Sequence, residues 1–421
     1  MKLFYCLCAL VLLRVHTSAA PFKLTSFSAD GRLSWTNSFA PGICTIERAD
    51  RPKGPWAPVK NLFSTGGAGS FSLPPAPGFY RVFTADVAPT PEGFQNFAGS
   101  WSTLSTIAGR GYYRQNGFNG WEPRFEGGLA TDAELSRPHY AMADGQGNIF
   151  IADKDAHAIR RVTREGRIFT AAGTGQPGDD GDSAGPATGR RLTSPNGLWV
   201  RADGVLYILD LGNKKIRKVD AAGQMTTLFK TGSTTPDRGL WVSADETLAY
   251  FSGTTELMKW TKSKGVQRIA SGFTDLANLA VDPSGQLFVT DRGASTVYRV
   301  DPDGTVVRVA GDGTSFSGGD GSPALETGWA GVRGIWFVPT GGYLLATHEG
   351  SQVWYVDTAG IIHLMVNGAG NSHSGDGEDY RTPGFKVSEV RSVTLDGEGN
   401  IIITESDFGF IRKIDFLRRQ P

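Results

Sequence analysis

Apolar and polar positions in the C-terminal three-quarters of the chain follow one phrase that recurs six times. The first copy, Leu135–Gly173, reads LSRPHYAMADGQGNIFIADKDAHAIRRVTREGRIFTAAG. The second starts at Leu192 and reads LTSPNGLWVRADGVLYILDLGNKKIRKVDAAGQMTTLFKTG; weaker copies start near Pro236, Asp275, Gly331 and Ser388. Each copy holds a turn signal, an apolar run, DG or GN, a β-rich run ending in Asp, a short polar loop, I-R-x-V and a Gly turn. Runs of four to eight β-formers punctuated by Gly, Asn and Asp predict four short strands per copy. A four-stranded unit cannot bury both faces alone, so it stacks on its neighbours. The predicted fold is therefore all-β, a six-bladed β-propeller.

The sixth copy stops at Ile414 without a fourth strand. The missing strand is predicted in front of the repeats, at Ser102–Gly109 (STLSTIAG), which matches RIFTAAG (Arg167–Gly173) and VVRVAG (Val306–Gly311) in length and alternation. Pairing that strand into the last blade would close the ring and cover its strand edges.

The repeats resemble the NHL family of propellers. The matching runs are GNIFIAD (Gly147–Asp153) with IRRV (Ile159–Val162), and VLYILD (Val205–Asp210) with NKKIRKV (Asn213–Val219). QLFVTD (Gln286–Asp291) with VYRV (Val297–Val300), and GNIIIT (Gly399–Thr404) with FIRKI (Phe410–Ile414), complete the set. The third and fifth copies depart, with FSG and ATH where Asp is expected. The glycine-rich loops from Gly173 and Gly311 are similar to those of extracellular bacterial NHL proteins. The resemblance implies either a binding propeller or an enzyme of the lyase or lactone-hydrolase kind, gluconolactonase-like or amidating-lyase-like.

Residues 21–90 follow another rhythm. Strands are predicted at Lys23–Ser28, Arg32–Thr36, Gly42–Ala49, Ser70–Leu73 and Phe79–Ala85, with Trp35, Trp56 and Tyr80 as core anchors. This reads as a small β-sandwich, loosely fibronectin-III-like. Residues 91–100 are read as linker and 101–417 as the propeller. Residues 1–20 read as a signal peptide: Lys2, the apolar Leu3–Leu13, then Thr17-Ser18-Ala19-Ala20. A secreted or periplasmic destination follows, and no segment is long enough to span a membrane.

Composition narrows the partners. Lys and Arg number 42 and so do Asp and Glu, with no basic stripe, which argues against nucleic acid. Beyond the leader Cys44 is the one cysteine, so no internal disulfide can form; it is read as a buried thiol in a monomer.

The chemistry is sought where the first strands begin. Those starts align as Pro138-His139, Pro195-Asn196, Asp237-Arg238, Leu276-Ala277, Val332-Arg333 and Val390-Arg391. Equal positions in equal repeats face one place, so His139, Asn196, Arg238, Ala277 (or Asn278, one register on), Arg333 and Arg391 should ring the channel mouth. Guanidinium forks match carboxylate, sulfate or phosphate oxygens. Arg238, Arg333, Arg391, His139 and Asn196 are thus the predicted ligand-binding set, for an anionic small molecule, a glycan or a protein. A competing expectation pairs these arginines with Asp153, Asp210, Asp291 and Glu405, which end the second strands. The enzyme reading would centre on His139 and His348. No metal ligands and no cofactor are assigned; two histidines are too few for zinc. The acidic glycine loops at 178–182, 318–321 and 374–379 look like calcium loops but lack full ligand spacing. Trp199, Trp241 and Trp336 are read as core between blades.

Overall fold

The computed structural model describes residues 21–73, 76–111, 117–368 and 373–417. The predicted signal peptide lies outside them. The chain divides into two compact units: one built on residues up to Thr103 with Val338–Gly341 and Asp415 onward, the other on Leu104–Phe337 and Gly342–Ile414.

The first unit contains two three-stranded antiparallel sheets. Lys23–Phe27, Arg32–Thr36 and Ala68–Ser72 form one; Ala57–Ser64, Gly42–Ala49 and Phe79–Asp86 form the other. Leu33 and Trp35 from one sheet and Cys44, Ile46 and Val82 from the other share a core. The strand at Ala57–Ser64 is not evident in the sequence, because Pro58, Lys60 and Asn61 break its alternation. Trp56 is not a core anchor: it lies half-buried beneath the Arg81 guanidinium, 4.5 Å from its ring. Pro91–Ala98 is a helix rather than an extended linker. Thr90 caps it, its hydroxyl accepting from the Gly93 N–H at 3.0 Å, and Pro91 supplies the preset φ of a first helical residue.

In the second unit six antiparallel sheets follow one another along the chain. Their first strands are Pro138–Ala143, Pro195–Val200, Pro236–Val242, Leu276–Val281, Val332–Phe337 and Val390–Leu395. Each of the first five sheets continues through three further consecutive strands, and Gly185–Pro186 adds an edge to the second. The sixth has two, Ile401–Glu405 and Phe410–Ile414, and takes its last strand from Leu104–Ala108, with Leu104 opposite Ile414 and Ala108 opposite Ile411. First strands of successive sheets are neighbours, as are Val390–Leu395 and Pro138–Ala143.

Period-two alternation explains the packing. Leu198 and Val200 of the second sheet meet Tyr140 and Met142 of the first, while Tyr207 and Leu209 meet Leu240 and Val242 of the third. Each fully buried Leu or Ile of this kind contributes about 1.5–3 kcal/mol. The glycine in G-L-W permits the close approach of first strands: a Cβ on Gly197 would lie 2.1 Å from the Arg238 carbonyl oxygen. The following tryptophans do more than fill the space between sheets. Trp199 packs against the cluster of sheets two and three, and its ring also lies 6.2 Å from Trp241 and 6.1 Å from Trp336 of the fifth sheet.

Candidate functional site

The Asp that ends each well-matched second strand is structural. Asp153, Asp210, Asp291 and Glu405 are sealed from solvent. Each accepts a backbone N–H from the segment leading into its own first strand: Ser136, Thr193 (2.8 Å), Thr274 (2.7 Å) and Ser388 (2.8 Å), respectively. The arginine of I-R-x-V completes the arrangement, Arg160 on Asp153 at 3.2 Å, Arg217 on Asp210 at 3.0 Å and Arg412 on Glu405 at 2.8 Å. Buried charges are retained when paired and hydrogen-bonded in this way. These four carboxylates therefore do not serve Arg238, Arg333 or Arg391, contrary to the competing expectation. Two of the three calcium-like loops hold cations of the protein itself. Asp179 holds Lys215 and Arg217, each at 2.6 Å; Asp182 holds Lys215 and Lys230, each at 2.7 Å; Asp376 holds Arg412 at 3.1 Å.

The first-strand residues do converge. His139 lies between Asn196 and Arg391, with Arg391 Nη1 2.7 Å from His139 Nε2. A guanidinium can only donate, so Nε2 accepts. Nδ1 then carries the proton and donates to Asn196 Oδ1. Burial, followed by the charges of Arg391 and Arg333, holds His139 well below the usual histidine value, in its neutral form. Both ring nitrogens are engaged, so His139 has no lone pair free for proton abstraction or for a metal.

From Asn196 the contacts continue around the mouth. Its Nδ2 donates to the Asp237 carbonyl oxygen at 2.7 Å. Asp237 accepts from Arg238 at 2.6 Å, and Arg238 also donates to Asp275 at 3.0 Å. Arg292 donates to Asp275 at 2.7 Å and to Glu349 at 3.0 Å. His348 lies between Glu349 (3.1 Å) and Glu389. Glu389 accepts from Arg391 at 2.6 Å, which returns the path to His139. Every one of the six sheets contributes to this circuit. His348 thus belongs to it, separated from His139 by Glu389 and Arg391. Ala277 adds no polar atom, and Asn278 turns to the Arg391 carbonyl oxygen at 3.4 Å. Asp407 stands beside Glu389, 3.9 Å from Arg391. Burial and the Glu389 charge push its carboxyl up to about 7.

Arg333 is the exception. It is 3% exposed, and among the described residues its guanidinium makes no hydrogen bond or ion pair. Burial, then the charges of Arg391, Arg238 and Arg292, lower its affinity for its own proton. An unpaired buried cation is costly.

Several residues of this circuit or at the same strand ends were missed in the sequence: Asp275, Arg292, Glu349, Glu389 and Asp407, with Arg137, Lys154 and Asp155. They sit one or two positions outside the aligned strand ends, where loop lengths vary. The repeat register does reach some of them. Lys154 and Arg292 each directly follow the last residue of a second strand, Asp155, Glu349 and Asp407 come one position later, and Arg137 and Glu389 directly precede a first strand. Arg137 and Glu389 hold left-handed backbone, at φ 56° and 32°. The matching residue of the fifth sheet is Gly331, where a Cβ would lie 1.4 Å from the Glu349 carboxylate. A separate cleft of about 540 Å³, lined by Phe316, Trp329, Gln352 and Trp354, shares Glu349 with the mouth.

No protein-family model matches the chain. A stretch of 96 residues, 22% of the chain, is 31% identical to the Arabidopsis thaliana protein suppressor of quenching 1, chloroplastic; that stretch spans 9% of this curated relative's length. A solved protein of unknown function from Bacteroides thetaiotaomicron superposes with a TM-score of 0.61 at 16% identity, over 94% of this chain and 98% of that one. An auxiliary nutrient binding protein from Bacteroides ovatus superposes with a TM-score of 0.56 at 12% identity, over 91% and 94%. The likeness and the succession of small antiparallel sheets together make this chain a β-propeller protein.

Proposed function

We propose that the protein is a secreted or periplasmic binding module of the NHL type. It captures a small anion, or the acidic group of a glycan, at the mouth of a closed six-bladed ring. Six sheets in chain order, neighbouring first strands and the Leu104–Ala108 strand in the last sheet support the ring.

The single observation that carries the binding reading is Arg333. A guanidinium buried to this degree has no bonded counter-charge, only the longer-range charges of Glu389 and Asp237, and a carboxylate, sulfate or phosphate supplies one through a two-point fork. The surrounding circuit holds Arg238 and Arg391 to carboxylates and keeps His139 neutral. Arg333 therefore faces an incoming anion with its geometry set in advance. The engaged nitrogens of His139 favour binding over the enzyme reading. If chemistry occurs here, Glu389, Asp407 and His348 are the groups left to perform it.

The test is calorimetric titration of sulfate, formate and a sugar acid into the wild type and Arg333→Gln. The wild type should bind at least one of them and the variant none. Equal binding by both proteins would place the anion elsewhere.

A further inference from the structure

The mouth contains a second cation without a partner. Lys154 directly follows Asp153, whose strand end pairs with Pro138 at the start of the first strand. At the equivalent position the other sheets carry Leu211, Thr254, Arg292, His348 and Ser406. Arg292 bonds Glu349 at 3.0 Å, and His348 lies 3.1 Å from the same carboxylate. Lys154, half-buried, makes no hydrogen bond or ion pair among the described residues. Its neighbour Asp155 is engaged by Arg137 at 3.4 Å and by the Gly117 N–H at 2.8 Å.

Lys154 stands at the strand end that meets the start of the strand carrying His139. The charges that act most strongly on His139 are, in order, Arg391, Arg333, Lys154 and Arg137, all cationic. The strongest charge on Lys154 is that of its neighbour Asp155, followed by those of Arg137, Arg391 of the sixth sheet and Arg238 of the third. Arg333 and Lys154 are thus the two cations acting on His139 that the surrounding carboxylates leave unbonded.

Resting on the binding reading above, we infer that Lys154 is the second attachment point of the anion site and makes it select ligands with two negative charges. One charge meets the Arg333 fork. The other meets the ammonium, a mobile point charge that adapts to ligand length. Two chemistries satisfy this: one dianionic head group, such as inorganic sulfate or a phosphomonoester, or a short dicarboxylate.

The experiment is isothermal titration at constant ionic strength with formate, sulfate, malonate, succinate and glutarate. The proteins are the wild type, Lys154→Gln, Lys154→Arg and Arg333→Gln. In the wild type a two-charge ligand should bind about tenfold or more tighter than formate, the gain of one added charge-assisted contact. Lys154→Gln should pull that ratio towards one, and Lys154→Arg should restore most of it. If sulfate shows the preference, the ligand has a dianionic head group; if one chain length among the diacids shows it, the ligand has two carboxylates. An unchanged ratio in Lys154→Gln, with Arg333 still required, overturns the inference about Lys154. No anion binding by the wild type overturns the binding reading itself.

Discussion

Replacing Arg333 with Met should make the unliganded protein more stable while removing its ligand. Arg333 is 3% exposed and without a bonded partner, so the protein without ligand should bear the cost of a desolvated charge, several kcal/mol after relaxation. Met keeps an unbranched apolar stem of similar reach and removes the charge. Allowing about 1 kcal/mol for imperfect repacking, the expected gain is about 2 kcal/mol. A domain of about 300 residues has an unfolding entropy near 0.6 kcal/mol/K, so the melting temperature should rise by about 3 °C. The control is Arg217→Met. Arg217 is equally buried but bonded to Asp210, Asp179 and Thr227. Its loss strands the buried Asp210 carboxylate, and should cost about 3–5 kcal/mol. The assay is scanning calorimetry in a buffer free of small anions, repeated with sulfate. Saturating sulfate should raise the wild-type melting temperature, by about 2.7 kcal/mol of linkage at one hundred times Kd, and leave Arg333→Met unmoved. If Arg333→Met melts as far below wild type as Arg217→Met does, the guanidinium is a structural partner and the reasoning fails.

Three further outcomes follow from the geometry. His139 is held below its ordinary value of 6.5 in the folded protein, so its stabilising contribution is complete above that pH. It is lost as the pH falls below it, because only the unfolded chain takes up the proton; in urea titrations His139→Gln should flatten the decline between about pH 6.5 and 5, by up to about 1.4 kcal/mol per pH unit. Asp407, raised to about 7 beside Glu389, becomes neutral as the pH drops through that value, so anion affinity should rise from pH 8 to pH 6. Asp407→Asn should abolish that dependence in calorimetric titrations, whereas a slope retained in full would assign it to another group. Cys44 is 1% exposed, and burial pushes its thiol pKa up. It should resist alkylation in the native protein and react fully in guanidinium, as read by mass spectrometry; rapid native labelling would contradict its packing against Trp35 and Ile46.

The repeated alternation of apolar and polar residues was enough to predict most of the strands and the sheet-by-sheet order, because side-chain direction in a strand has period two and each repeat meets the same environment. It also placed His139, Asn196, Arg238, Arg333 and Arg391 at one end of five of the six first strands, since equal repeats present equal positions. The sequence did not reveal the Ala57–Ser64 strand, whose pattern is broken by Pro58, or the Pro91–Ala98 helix, whose Thr90 cap reads equally well as the start of a linker. Above all it did not tell which charges find partners. Asp153 and Glu405 turn to arginines of their own sheets, whereas Glu389 serves Arg391, and Arg333 is left alone. Charge pairing depends on contacts between residues as far apart in sequence as His139 and Arg391, within a few ångströms and after desolvation. Local pattern carries no record of that, and only the tertiary structure separates an arginine that is bonded into the fold from one that is left without a partner.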